Sequence, residues 1–339
     1  ETRDEHGEEF ERMADAKRSG IVAEYLAFLH HNKKWWLLPI VTLLLGVGIL
    51  VAVGGWPYVP EFDVADEILT SNEIFHLEKL PKNILIVGGG FIACEFACIL
   101  NGMGVEVTQY YRGEQILRGF DGEARGHVAE LMREGGVNLH VGTDVLEMKK
   151  VDGGLWVKSA DGKEGVYEKV MYATGRRPNT ANLGLDKAGV KTGRNGEIIV
   201  DEYSQTSVPS IYAVGDVTDR INLTPVAIRE GAAFVETVFH GRPTKPDHEL
   251  VASAVFTQPE LGCVGLTEEQ AREQEPIEVY ATSFRPMQSL FAGRPDRVMM
   301  KLIVSQETRK VLGVHIVSEG AGELIQMAAI AVKMGATKE

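Results

Sequence analysis

The order of apolar and polar positions divides the chain into a short N-terminal part and a long region of alternating strands and helices. Residues 1–34 are rich in charge and end in a short amphipathic pattern, typical of a solvated segment followed by a surface helix. The next run has no charged residue and follows directly on Lys33 and Lys34. Its length and its tryptophan pair predict a transmembrane helix over residues 35–55 rather than a buried core helix or strand.

The strongest pattern in the chain lies in residues 82–175. A short apolar run leads into the spaced small residues Gly88, Gly90 and Ala93, and an amphipathic helix and a second apolar run follow. This strand–turn–helix–strand order is the context of a dinucleotide-binding turn, in which the glycines let the backbone approach a pyrophosphate. The helix N-terminus adds unpaired N–H groups and partial positive charge.

The end of the second apolar run indicates which nucleotide is bound. An NAD-binding unit carries an acidic residue near this point, whereas Tyr111 stands here and Arg112 and Arg118 follow. Arginines suit a 2′-phosphate, which needs charge-assisted donors, so the sequence favours NADPH over NADH. The alternative is that both arginines are ordinary solvated surface residues.

Net charge and cysteine content exclude several further classes of protein. The 339 residues carry a net charge of −13, which excludes an electrostatic nucleic-acid binder. The three cysteines, Cys94, Cys98 and Cys263, make neither a disulfide scaffold nor a metal cluster with histidines, so no metal site is predicted. Cys94 and Cys98 share a helix face, and core packing is favoured over a redox pair.

Several longer motifs resemble the glutathione reductases of the class I pyridine nucleotide-disulfide oxidoreductase family, over about residues 54–338. These motifs include "TSNEIFHLEKLPKNILIVGGGFIACEFA", "ATGRRPNT", "IYAVGDVTDRINLTPVAIREG" and "VFTQPELGCVGLTEEQA". The resemblance implies an α/β fold in which a Rossmann-like NADPH-binding domain is inserted in a partial FAD-binding domain, followed by a partial α+β dimerisation domain. The implied boundaries are a linker from the FAD domain at 56–81, the NADPH-binding domain at 82–175, the remaining FAD-binding part at 176–246 and a truncated dimerisation domain at 247–339.

The resemblance also implies roles for individual positions toward NADPH and FAD. The pyrophosphate of NADPH would lie on the turn of Gly88, Gly90 and Ala93, and its 2′-phosphate on Arg112 and Arg118. The implied cofactor-binding set is Gly88, Gly90, Phe91, Ile92, Ala93, Glu95, Arg112, Arg118, Gly175, Arg176, Asp216 and Thr224.

Five of these positions have more specific implied roles. Phe91 replaces a tyrosine that gates the nicotinamide pocket in many relatives, and Glu95 would face the flavin, where its usual lysine partner is missing from this chain. Arg176 would lie near the adenosine of NADPH. Asp216 would accept hydrogen bonds from the FAD ribityl chain, and Thr224 would begin a helix aimed at the isoalloxazine.

Other family features are not found in these 339 residues, and the FAD site is therefore expected to be incomplete. No glycine fingerprint and no redox-active Cys-x4-Cys pair precedes Gly88, and no histidine is followed by proline. We therefore expect no catalytic residue and no reduction of glutathione disulfide by this polypeptide alone. The family also implies a homodimer, which truncation of the dimerisation domain would weaken.

The N-terminal region raises a conflict of topology. About residues 13–54 resemble a family of small single-span membrane proteins of unknown function. The lysines before the span would place residues 61–339 outside the cytoplasm, whereas the family implies a cytoplasmic reductase. Two alternatives to the enzyme stay open: a membrane-tethered NADPH-binding module without catalysis, and an accidental join of two proteins at about residues 48–56.

Overall fold

A computed structural model describes residues 49–339. Residues 1–34 and positions 35–48 of the predicted membrane helix lie outside the described residues. In chain order the strands are β1 (Ile49–Val51), β2 (Gly55–Pro57), β3 (Ile68–Leu69), β4 (Asn83–Val87), β5 (Glu106–Tyr111), β6 (Asn138–Val141), β7 (Val145–Val151), β8 (Gly154–Ser159), β9 (Glu164–Tyr167), β10 (Lys169–Tyr172), β11 (Arg176–Pro178), β12 (Ile211–Ala213), β13 (Ser253–Val255), β14 (Glu260–Gly265), β15 (Ile277–Phe284), β16 (Val298–Ser305) and β17 (Val311–Ser318).

The α-helices are α1 (Phe91–Gly102), α2 (Gly122–Glu134), α3 (Leu185–Ala188), α4 (Thr224–Val238), α5 (Glu268–Gln274), α6 (Met287–Phe291) and α7 (Ala321–Lys333). Short 3-10 turns lie at Ala65–Glu67, Glu73–His76 and Gly215–Thr218. The described chain divides into two compact units. The larger unit holds residues 55–179 and 247–339, and the smaller unit holds residues 49–54 and 180–246.

The first part of the larger unit is built on a parallel sheet with strand order β3-β10-β4-β5-β6. The central strand β4 contains Ile84, Leu85 and Ile86, all fully buried, because helices and further strands cover both of its faces. Helices α1 and α2 connect β4 to β5 and β5 to β6. The antiparallel meander β7-β8-β9 then leads to β10, on the other side of β4.

The second part of the larger unit is an antiparallel sheet with strand order β13-β14-β17-β16-β15. Helix α7 packs Ile325 and Val332 against this sheet. The two parts share one apolar core, since Val128 and Met132 of α2 belong to the same cluster as Val317 of β17. The nucleotide-binding pattern and the C-terminal sheet are therefore packed together rather than separated by a linker.

The smaller unit has a core of its own. Strand β1 pairs in parallel with β12, and Ile198, Ala213 and Val217 are fully buried around that pair. Helix α4 follows the turn after β12 and packs Phe234 against Tyr212, with the ring centroids 5.1 Å apart.

The prediction of a membrane helix over residues 35–55 is wrong for the positions that the structure describes. Ile49–Val51 forms β1, whose ladder is extended by a hydrogen bond from Ile49 N to Ser210 O at 2.7 Å. A short run of aliphatic residues fits a strand as well as a helix, and here the parallel partner strand decides between them. Within residues 49–339, no helix is both long and apolar enough to cross a bilayer.

Candidate nucleotide-binding site

The glycine turn lies where two neighbouring parallel strands end. Gly88 follows β4 and has a φ of +142°, a conformation that favours glycine. A Cβ at Gly88 would overlap the carbonyl oxygen of Ala173 just after β10, and would lie 3.2 Å from the Cβ of Ala93. Gly88 and Ala173 thus lie at the carboxyl ends of the neighbouring parallel strands β4 and β10, the edge of an open α/β sheet at which ligands bind.

Helix α1 begins directly after this turn, at Phe91. Gly90 is the N-cap residue, and no heavy atom lies within 4 Å of the place where its Cβ would stand. The N–H groups of Phe91, Ile92 and Ala93 have no acceptor within the helix, as at any helix start. Open space beside unpaired donors and a positive helix end fits a pyrophosphate.

A loop of residues 112–120 returns from β5 to the glycine turn. Leu117 N donates to Gly89 O at 2.6 Å, and the Tyr111 ring fills the space beside Gly89, where a Cβ would overlap it. Arg112 and Arg118 both project from this loop and are exposed. Within residues 49–339, neither guanidinium has a hydrogen-bond or ion-pair partner that would compete with a bound anion.

Sequence reasoning missed a buried amide that holds the turn. Gln109 is fully buried, and its Nε2 donates to Gly88 O at 2.9 Å and to the Cys94 thiol at 3.5 Å. Its Oε1 has no partner in the described part of the chain. The available signal is the polar residue Gln109 within β5, among apolar residues that pack in the core.

Phe91 and Glu95 lie four residues apart and therefore share one face of α1. The ring of Phe91 is 44% exposed, so an aromatic face is presented at the helix start. The carboxylate of Glu95 accepts a hydrogen bond from Phe256 N at 3.0 Å. Burial raises the pKa of Glu95 and outweighs that hydrogen bond, which acts in the opposite direction.

Gly175 and Arg176 follow β10 and lie beside the linker from residue 55. Gly175 has a φ of +144°, and its carbonyl accepts a hydrogen bond from Tyr58 N at 3.0 Å. The Arg176 guanidinium donates to Ser71 Oγ at 3.0 Å and to Gly55 O. Unlike Arg112 and Arg118, Arg176 is therefore engaged within the protein.

Asp216 and Thr224 lie in the smaller unit, whereas the other predicted positions, from Gly88 to Arg176, lie in the larger unit. Asp216 is half-buried in the turn after β12, and Thr224 is the first residue of α4. Sequence reasoning missed the support of this turn: Glu230 accepts a hydrogen bond from Gly215 N at 2.6 Å and pairs with Arg220 at 2.8 Å.

The cysteines lie in poor surroundings for thiolate chemistry. Burial raises the pKa of the Cys94 and Cys263 thiols to about 12 and also raises that of Cys98. Among residues 49–339, no group of three or more His, Cys, Asp or Glu side chains is placed to hold a metal ion.

Comparison with known families identifies three matching regions. The family described as pyridine nucleotide-disulphide oxidoreductase matches residues 47–231, and the dimerisation domain of the same family matches residues 251–339. Residues 19–59 match a family of unknown function. Both resemblances drawn from the motifs are therefore confirmed.

Three curated relatives are similar over most of this chain. The glutathione reductase of Burkholderia cepacia is 47% identical over 86% of the chain and 65% of that protein. The chloroplastic/mitochondrial glutathione reductase of Pisum sativum is 50% identical over 86% of the chain and 53% of that protein. The trypanothione reductase of Leishmania donovani is 45% identical over 85% of the chain and 60% of that protein. The chain thus spans about half to two thirds of the length of these relatives.

Proposed function

Because the chain belongs to the pyridine nucleotide-disulphide oxidoreductase family, we propose that it is part of a disulfide reductase most like glutathione reductase. Glutathione reductases use FAD and NADPH. When bound, NADPH would supply a hydride and FAD would relay its two electrons to a disulfide. In this proposal residues 82–175 bind NADPH, residues 56–81 and 176–246 belong to the FAD-binding domain, and residues 247–339 mediate dimerisation.

One observation carries the proposal: helix α1 has an open start at the carboxyl end of β4, next to the loop of Arg112 and Arg118, which have no partners among residues 49–339. In the proposed complex, the backbone of Gly88, Gly90 and Ala93 lies against the pyrophosphate. Arg112 and Arg118 donate to the 2′-phosphate, where charge-assisted hydrogen bonds are strong. The other proposed contacts with NADPH and FAD come from Phe91, Ile92, Glu95, Gly175, Arg176, Asp216 and Thr224.

The glycine turn can be tested with a matched pair of substitutions. Gly90 and Gly231 both have open space where a Cβ would stand, and neither has a positive φ. Gly90→Val would fill the space assigned to the pyrophosphate, whereas Gly231→Val changes helix α4 outside the proposed NADPH contacts. We expect Gly90→Val to abolish the fluorescence change of NADPH on binding to the full chain. Unchanged NADPH binding by Gly90→Val would refute the assignment.

We propose that these 339 residues by themselves do not reduce glutathione disulfide. None of the three cysteines forms a Cys-x4-Cys pair, and burial keeps their thiols protonated at neutral pH. Nothing in the chain then offers the thiolate that must attack the disulfide sulfur. NADPH oxidation that depends on both added FAD and glutathione disulfide, measured on the purified chain, would overturn this proposal.

We propose a second copy of this chain as the partner of α7. Along α7 and at its end, four apolar side chains are exposed at spacings of three or four residues and form one apolar stripe. They are Leu324, Met327, Ile330 and Met334. Exposed apolar stripes of this kind mark association surfaces. The match of residues 251–339 to a dimerisation domain supports the same assignment.

We place the junction of the two matched families within residues 47–59, where the two matches overlap. Sequencing the messenger RNA across the codons for this range would test whether one continuous frame encodes both parts. A membrane tether without catalysis stays a hypothesis about residues 35–48, outside the described residues. An accidental join predicts that no such transcript exists.

A further inference from the structure

Arg125, near the start of α2, donates hydrogen bonds to the loop that carries Arg112 and Arg118. Its Nε donates to Ile116 O at 2.6 Å, and one of its terminal nitrogens donates to Gln115 O at 2.7 Å. The fork of a guanidinium is planar and rigid. Two donors from one plane therefore fix both the position and the direction of this short piece of backbone.

The carbonyls of Gln115 and Ile116 directly precede an unusual backbone conformation. Leu117 has a φ of +56°, which is costly for a residue with a Cβ and persists only where surrounding contacts enforce it. The contacts here are the burial of the Ile116 and Leu117 side chains and the bond from Leu117 N to Gly89 O. Arg118 follows at once, so its direction depends on this enforced bend.

Within residues 49–339, no contact of its own side chain positions Arg118. Its guanidinium is exposed and has no partner among the residues that the structure describes, so the backbone alone determines where it begins. A bidentate contact with a phosphate loses most of its strength when the donors are displaced or misaligned. Any residue that fixes the backbone at 115–117 therefore controls how well Arg118 meets its ligand.

We propose that Arg125 is a positioning residue that sets the preference for a 2′-phosphorylated nucleotide over its 2′-hydroxyl counterpart. It acts through the backbone of Gln115 and Ile116 and not by touching the nucleotide. The inference rests on the proposed NADPH site, because it assigns the 2′-phosphate to the loop that Arg125 holds. Arg125 is thus expected to affect the discrimination between nucleotides and not the binding of their common part.

The experiment measures the dissociation constants of NADPH and NADH for the full chain and for Arg125→Met, which keeps the stem and removes the donors. We expect NADPH affinity to fall about tenfold, the worth of one charge-assisted hydrogen bond, while NADH affinity changes less than about twofold. The control is Arg133→Met on the same helix, whose Nε makes only a long contact of 3.4 Å with Leu139 O.

Two further variants keep the test decisive. In an Arg118→Ala background, Arg125→Met should not change the NADPH-to-NADH ratio further, because the residue it positions is gone. Arg125→Lys keeps the charge and one donor group, so it should give an intermediate ratio. If Arg125→Met melts at a lower temperature than the wild type, Arg125→Lys takes its place in the comparison.

An equal loss of affinity for NADPH and NADH in Arg125→Met would overturn the inference. Unchanged affinity for both nucleotides would overturn it as well. If the wild-type chain prefers NADPH and Arg125→Met keeps that preference, only the positioning role of Arg125 is refuted. A wild-type chain with no preference for NADPH refutes the proposed site itself, and the inference with it.

Discussion

The ammonium nitrogen of Lys301 lies 3.0 Å from Oδ1 of Asp121, and both side chains are almost completely buried. The pair joins β16 of the antiparallel sheet to the N-cap of α2. This helix begins just after the loop of residues 112–120, which carries Arg112 and Arg118. Asp121 also accepts hydrogen bonds from Ala124 N at 3.3 Å and Glu268 N at 3.0 Å. Lys301 contacts two further carboxylates, those of Glu268 at 2.6 Å and Glu123 at 3.0 Å.

Replacing Lys301 with methionine should strongly destabilise the larger unit. The change leaves the Asp121 carboxylate buried without its cation, which costs about 3–5 kcal/mol in proteins. The free energy of unfolding of the full chain, measured by urea denaturation, checks this. The exposed Lys310 offers the control, since Lys310→Met should change stability by less than about 0.5 kcal/mol. Equal effects of the two substitutions would contradict the importance of the buried pair.

The same carboxylate should make stability fall in acid. Burial opposes ionisation of Asp121, but hydrogen bonds from Glu268 N and Lys301 and the nearby His315 together hold its pKa below the ordinary value. The carboxylate therefore stabilises the fold above the pKa of the unfolded chain. That contribution is lost as the pH falls through the lower pKa of the folded state.

The variant Asp121→Asn isolates this effect, because asparagine keeps the helix cap but cannot ionise. We expect its stability deficit relative to wild type to be largest at neutral pH and to shrink steadily below about pH 4. Urea denaturation at several pH values gives the comparison. A deficit that stays constant down to pH 2 would show that the charge contributes nothing.

Charges placed on the apolar stripe of α7 should prevent self-association. Met327 and Ile330 are 67% and 64% exposed, so lysine at both positions would leave the monomer intact, whereas a dimer would bury two charges from each copy. We expect wild type to associate with increasing concentration in analytical ultracentrifugation and the double variant to stay monomeric. Leu146→Lys, at another exposed apolar position on β7, should behave as wild type. An unchanged association constant in the α7 variant would exclude this face.

The thiols should react slowly in the folded chain. Cys94 and Cys98 are buried, and burial raises the pKa of Cys94 and Cys263 to about 12, so few thiolates are present at pH 8. A colourimetric disulfide reagent should therefore modify three thiols rapidly in denaturant and much less than one within minutes without it. Rapid modification of the native chain would mean that a cysteine is accessible and ionised.

The local part of the site could be predicted from the sequence. The turn of Gly88, Gly90 and Ala93 depends on residues close together in the chain, and its backbone demands leave few alternatives to small side chains. The strand Ile84–Val87 also depends on neighbouring residues only. It could be predicted because an unbroken apolar run is typical of a strand buried on both faces.

Contacts between distant residues could not be predicted in this way. Asp121 and Lys301 are 180 positions apart, and nothing near either residue indicates the other. Arg125 resembles any charged residue on an amphipathic helix until the loop is seen folded against it. From the sequence alone the aliphatic run at Ile49–Val51 fits a helix, because its partner strand, Ile211–Ala213, lies more than 150 residues later.

The most direct test of the nucleotide site is a pair of calorimetric titrations of the full chain, with NADPH and with NADH. Because Arg112 and Arg118 lie on the loop beside the glycine turn and have no partners among residues 49–339, NADPH should bind at least about tenfold more tightly than NADH. Replacing both arginines with alanine should remove that difference and leave NADH binding nearly unchanged. Equal binding of the two nucleotides by the wild-type chain, or tighter binding of NADH, would contradict the account.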